Sequence, residues 1–175
     1  MGDTLTMALP KENTAVKTFD ALYRSSAVDL YAYVATLLGD RGAAEEVTAV
    51  TFERAFRRRW SFDARRGDQR AWLFGIARNA ALDELRRRKR SATLTVEPAD
   101  VDAALAADDA GSDPERRATV RAGLETLDPR DRELVALKFF AGLSNAEIGR
   151  VVGLSESNAG TKLHRAVNKL REACA

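Results

Sequence analysis

The stretch Trp72–Arg90 reads WLFGIARNAALDELRRRKR. Its first half is apolar on nearly every side, and its second half is a run of arginine and lysine. No proline interrupts it, and only Gly75 weakens a helix. On steps of about 100° per residue, Trp72, Ile76, Asn79, Asp83, Arg86, Arg87 and Arg90 share one face. One rod therefore begins in a protein core and ends as a basic arm, with polar and aromatic groups between. Such a rod suits a protein that holds a nucleic-acid backbone and handles an exposed base. Taken alone, a core helix with a solvated basic end is an equal reading.

Working outward, residues 61–69, SFDARRGDQ, read as a polar loop with Gly67. Upstream of it the periodicity predicts a helix from about Ala43 to Trp60, with Val47, Val50, Phe52, Ala55 and Phe56 as buried candidates. Before that, Phe19, Leu22, Tyr23, Leu30, Tyr33, Val34 and Leu37 recur at helical spacing up to Leu38. Residues 1–12 read as a ragged lead. Downstream, residues 91–113 lose their large apolar side chains and fill with Ala, Asp, Gly and Ser, as a flexible acidic linker does. Asp113-Pro114 and Asp128-Pro129 each pair a cap with a proline at the first helical position. The second of these opens a helix through Phe139 and Phe140 that Gly142 ends. Ser144 and Glu147 form a capping box, Gly153 stops the short helix that follows, and Ser155 caps a last helix to about Glu172. No alternating strand pattern appears. The expected fold is all-α: two small helical domains, 13–90 and 114–173, joined by the linker 91–113.

The totals fit this division. A chain of 175 residues, 45% hydrophobic, can build two small cores, and its 31% of charged residues is high for a compact enzyme. The net charge of +2 hides a segregated pattern. Arg57, Arg58, Arg59, Arg65, Arg66, Arg70 and the 86–90 cluster make residues 54–90 basic. Glu97, Asp100, Asp102, Asp108, Asp109 and Asp113 make 97–113 acidic. Such asymmetry predicts a polyanion-binding face and an acidic connector. The lone Cys174 excludes an internal disulfide and suggests a cytoplasmic home. With His164 the only histidine, no metal site and no cofactor are expected. No apolar run reaches the length of a membrane span, and no signal-peptide core is seen, so no membrane insertion is expected.

The last two helices have the pattern of a helix-turn-helix. Ala146, Ile148, Val151 and Val152 lead to a tight turn at Gly153-Leu154. Ala159, Leu163, Ala166 and Leu170 then form an apolar spine. The opposite face, with Ser157, Asn158, Thr161, His164, Arg165 and Asn168, carries hydrogen-bonding and cationic groups suited to a major groove.

Together the AWL-x-x-IARN-x-x-x-D-x-x-R string at 71–86 and the block 127–172 resemble an extracytoplasmic-function (group 4) sigma factor of bacterial RNA polymerase. The resemblance covers nearly all the chain after about Phe19. It implies that helix 43–60 docks on core polymerase through Glu45, Glu46, Thr51 and Arg54. The family's Gln-Asp/Glu before that Thr is replaced here by Ala49-Val50. The resemblance further implies that loop 61–69 and the next helix handle the −10 element. Phe62 and Asn79 match the base pocket, Trp72 supports them, and Arg78, Arg86, Arg87, Arg88 and Lys89 meet phosphates. Helix 156–172 would read the −35 element with Ser157, Asn158, Thr161, Lys162, His164 and Arg165. Gly160 stands where many members carry Lys or Arg. The implied function is promoter-specific transcription initiation with core RNA polymerase and promoter DNA as partners, and the resemblance admits an anti-sigma factor. The alternative is a free-standing helix-turn-helix regulator with a dimerising N-terminal bundle. An enzyme is not expected, since there is no Gly-rich phosphate loop, metal spacing or nucleophile–base pair.

Overall fold

The computed structural model describes residues 11–92 and 114–175. Helices α1 (Lys11–Leu38), α2 (Arg41–Arg57) and α3 (Gln69–Ala92) form the first half, with 3-10 turns at Arg59–Ser61 and Ala64–Arg66 between α2 and α3. Helices α4 (Pro114–Thr126), α5 (Pro129–Phe139), α6 (Asn145–Val152) and α7 (Glu156–Ala173) form the second. The expected linker lies outside the described residues apart from Ser91 and Ala92, which belong to α3. Asp113, expected to cap α4, also lies outside them.

The first half packs three helices around Leu30, Tyr33, Val34, Phe52, Leu73 and Phe74. Ala44, Ala55, Ala77 and Ala81 are fully buried at the crossings, where their small size lets the backbones approach. The α1–α2 corner turns on Gly39, at φ 64°, and Asp40 caps α2 by accepting from the Ala43 N–H at 3.0 Å. Three expectations need correction. The first helix begins at Lys11, inside the supposed ragged lead. The second ends at Arg57 and gives way to a 3-10 turn. Val50 and Phe56 are surface residues. The buried residues of α2 are Ala44, Val47, Thr51, Phe52 and Ala55, and Val50 and Phe56 fall just beyond the two edges of that face. Phe56 is covered instead by the Arg59 guanidinium, 4.0 Å from its ring centroid, and by the edge of Phe19.

The second half is built on caps. Asp128 accepts from the Arg130 and Asp131 N–H groups at the start of α5. Ser144 and Glu147 exchange side-chain and backbone hydrogen bonds as a full capping box on α6. Gly142 and Gly153 take φ values of 66° and 76°, which L side chains avoid. α5 ends one residue earlier than expected, with Phe140 as its cap. Leu134, Leu137, Leu143, Ile148, Ala159, Leu163 and Ala166 fill the core. The α6–α7 turn is tight because residue 149 is glycine: a Cβ there would lie 2.6 Å from the Leu154 carbonyl oxygen. The two halves meet where α1 packs on α5 and α3 packs on α6.

Candidate nucleic-acid interface

At the root of α3 a cavity of about 470 Å³ opens between the 3-10 turns and the helix. Phe62 and Trp72 form its aromatic wall, with ring centroids 5.5 Å apart at 54°. Ser61, Asp63, Ile76 and Asn79 complete much of the lining, and Asn79 is exposed. The turns that hold Phe62 are pinned locally. The Ser61 hydroxyl donates to the Arg58 carbonyl, and Asp63 and Asp68 accept from the Arg65 and Arg70 N–H groups. An aromatic wall beside an amide matches a flat heterocycle: the rings stack and the amide meets an edge of donors and acceptors. Two further lining residues, Arg150 and Val151, come from α6.

The basic arm is less free than its sequence suggests. Arg78 is directed at α5 rather than solvent: its Nε donates to Glu133 Oε1 at 2.7 Å. The Tyr33 hydroxyl donates to the same oxygen at 3.3 Å, and Glu133 is buried. Burial, with the Glu133 carboxylate second, holds the Tyr33 phenol well above its ordinary pKa. Arg88 is also committed. It pairs with Glu84 and Asp40 and reaches the Leu38 carbonyl, so it braces α3 against the α1–α2 corner. Arg87 binds Glu84 through two donors, and these bonds hold the Glu84 carboxyl below its ordinary pKa, with Arg88 adding to the effect. Arg86 meets Asp83 at 3.3 Å. Arg86, Arg87, Lys89 and Arg90 are exposed. Surface pairs of this kind are weak enough to be exchanged for phosphate.

On α7 the spine Ala159, Leu163 and Ala166 is buried, while Ser157, Asn158, Thr161, Lys162, His164 and Arg165 are all exposed. His164 Nε2 and Asn168 Nδ2 lie 3.2 Å apart. Lys162 stands apart from the rest, since it borders a second cavity of about 200 Å³ shared with Arg78, Arg130 and Glu133. On α2, Glu45 and Glu46 are exposed, and Arg54 reaches Asp83 at 3.7 Å. Thr51 is different. It is fully buried, its hydroxyl donating to the Val47 carbonyl at 2.7 Å, so it supports the helix from inside and cannot contact a partner. Among the described residues no group of three or more His, Cys, Asp or Glu could hold a metal ion. No helix among them is long and apolar enough to cross a membrane.

The Sigma-70 region 2 family matches residues 22–91, and the Sigma-70 region 4 family matches residues 117–170. The ECF RNA polymerase sigma factor SigL of Mycobacterium tuberculosis is 32% identical over 86% of this chain and 85% of its own length. The chain belongs to the ECF sigma factors. Another member, BldN of Streptomyces coelicolor, is 34% identical over 87% of the chain, which spans only 58% of BldN's length. The fold is that of the sigma factor RpoE of Bartonella quintana, solved in complex with the anti-sigma factor NepR. That structure superposes with a TM-score of 0.73 at 23% identity, covering 90% of this chain and 96% of RpoE.

In this ECF sigma factor α1–α3 carry region 2 and α4–α7 carry region 4. Phe62, Trp72 and Asn79 come together at one cavity. The exposed residues of α7 form one face. Sequence reasoning missed Glu133, Tyr33, Arg70 and Arg150, the residues through which the two regions touch. The signal for Glu133 was faint: it directly precedes the apolar run Leu134–Leu137, and an acid drawn into the core with that run has to find a cation.

Proposed function

We propose that the chain binds core RNA polymerase and directs it to promoters, reading the −10 element with region 2 and the −35 element with α7. The observation that carries this reading is the Phe62–Trp72–Asn79 cavity at the root of a basic helix, on one chain with a helix-turn-helix. The cavity has the chemistry to hold an unstacked base. Phosphate contacts fall to Arg86, Arg87 and Lys89, and to Arg78 once it leaves Glu133. Arg88 acts mainly as a brace. Asn158, Thr161 and Arg165 read bases, with Ser157 and His164 beside them and Lys162 at the margin. Glu45, Glu46 and Arg54 form the polymerase-facing part of α2. Domain limits of 13–90 and 114–173 suit this division, with the first region extended to Ala92. Such a protein works in the cytoplasm, and an anti-sigma factor of the kind bound to RpoE is a fitting antagonist.

Run-off transcription with core polymerase on genomic fragments tests the proposal. Transcripts should start at fixed sites only when the chain is present. Tight sequence-specific binding to duplex DNA without polymerase, together with no added transcript, would assign the chain to free-standing regulators.

A further inference from the structure

Trp60 has no place in the core. It is 53% exposed, although an indole is the largest apolar side chain, and it does not pack against the buried cluster. Yet its ring is held. The Arg59 guanidinium lies 4.9 Å from the Trp60 ring centroid and 4.0 Å from that of Phe56. Arg59 Nη1 donates to the Phe56 carbonyl at 2.7 Å, and its buried Nε has no hydrogen-bond partner. Two ring faces, more than hydrogen bonds, fix this guanidinium. Phe56 in turn meets Phe19 at 5.2 Å, and Phe19 meets the buried Phe52 at 6.4 Å. The layers Phe52, Phe19, Phe56, Arg59 and Trp60 thus run from core to surface, with the indole outermost.

The surroundings are cationic. Arg57, Arg58 and Arg59 lead directly into Trp60. Arg58 is exposed, and Arg57 pairs only at the surface, with Glu53 at 2.6 Å. Such a pair is readily exchanged for a phosphate. Directly after Trp60 the chain enters the base cavity, which Ser61 and Phe62 line. Two residues span at most about 7 Å, so Trp60 and Phe62 are neighbours on the scale of adjacent nucleotides.

We propose that Trp60 is a second stacking platform, which takes from a single DNA strand the base next to the one held in the Phe62 cavity. An indole face stacks on any base, so this platform adds affinity without reading sequence. The arginines before it hold the phosphates on either side. Arg59 is the positioning residue: it presets the ring, and little ordering remains to be done when the strand arrives. The proposal rests on the reading of region 2 as a single-strand binder, but not on which −10 sequence it prefers.

The test uses the full chain. It has two tryptophans, so Trp72→Phe leaves Trp60 as the only one that emits. A short oligothymidylate at low salt is the probe, and the anisotropy of a dye on the strand reports binding. Binding should quench Trp60 emission with the same midpoint. Trp60→Ala, with Trp72 intact, should weaken binding roughly tenfold, the order of one lost base stack. Trp60→Tyr should restore most of that loss, and circular dichroism should stay unchanged in both. Binding that leaves Trp60 emission unaltered, equal affinity of Trp60→Ala and the parent, or no binding at low salt overturns the proposal. So does a Trp60→Ala variant that loses affinity for core polymerase and keeps its affinity for the strand, which would give this face to polymerase. The −10 reading fails separately. A strand carrying the −10 sequence of a transcribed promoter that binds no better than oligothymidylate counts against that reading, while the quenching of Trp60 still upholds the platform.

Discussion

Asn79 and Phe62 differ in what holds them. Phe62 is half-buried against Trp72, whereas Asn79 is exposed at the edge of the same cavity. Asn79→Ala and Phe62→Ala should therefore impair promoter opening and leave polymerase binding intact, each removing about 1–3 kcal/mol of hydrogen bonding or stacking. Permanganate footprinting of the open complex checks this, and a normal footprint on both variants removes the cavity from promoter reading. Gly149 sets a different limit. A methyl group directed at the Leu154 carbonyl forces α6 and α7 apart. Gly149→Ala should lower unfolding stability by about 1–3 kcal/mol in urea titrations, although alanine favours a helix. At this scale the sequence was legible where a residue's chemistry is local. Phe62, Trp72 and Asn79 lie on one short loop–helix unit. Glu133 and Arg78 are 55 residues apart and meet only through tertiary packing. Thr51 was misplaced because the spacing of a motif does not say which of its members face inward.

The helices were legible mainly at their ends. The Asp128, Ser144 and Ser155 caps each use a side-chain oxygen on a backbone N–H two or three residues on, which is chemistry written into adjacent positions, whereas the Asp40 cap of α2 went unread. The end of α2 was not legible, because the arginines after Arg57 have good helix propensity and the break into a 3-10 turn depends on how the chain must reach the cavity. Asp128 offers a test of a cap. Its carboxyl is held below its ordinary pKa, first by the Asp131 N–H, with the Arg130 N–H and Lys169 contributing. A lowered pKa stabilises the fold above the unfolded value, and that contribution disappears as pH falls below about 4. Asp128→Ala should cost about 1 kcal/mol at neutral pH. Asp128→Asn should keep most of the cap and show a shallower acid loss. Chemical denaturation between neutral pH and pH 3 distinguishes these outcomes. For α7, Arg165→Ala should weaken transcription from promoters that depend on the −35 element, and changes at Asn158 or Thr161 should shift base preference. Scanning the −35 sequence checks both, and unchanged preferences in every variant would mean that another face reads DNA.

For the whole molecule, the all-helical division into two regions followed from periodicity and caps, but their mutual contact did not. Nothing in a local pattern marks α1 as a partner of α5. The contact matters for affinity. Region 4 offers one recognition helix with no basic side chain at Gly160, and the exposed cations of α3 are partly balanced by Asp83 and Glu84. The isolated chain should bind duplex promoter weakly and with steep salt dependence. Fluorescence anisotropy across a salt series checks this. Tight, salt-insensitive binding by the chain alone would mean that polymerase adds little.

Gly160 is also tied to a neighbour across the α6–α7 crossing. A Cβ there would lie 3.1 Å from Asn145 Nδ2, at the first position of α6. Placing a cation at 160 therefore depends on what stands at 145. Gly160→Arg entering first meets a crowded neighbour, whereas a smaller residue at 145 entering first removes the obstruction. The same two substitutions should have non-additive effects on stability. The α6–α7 crossing thus ties what position 160 can carry to the side chain at 145.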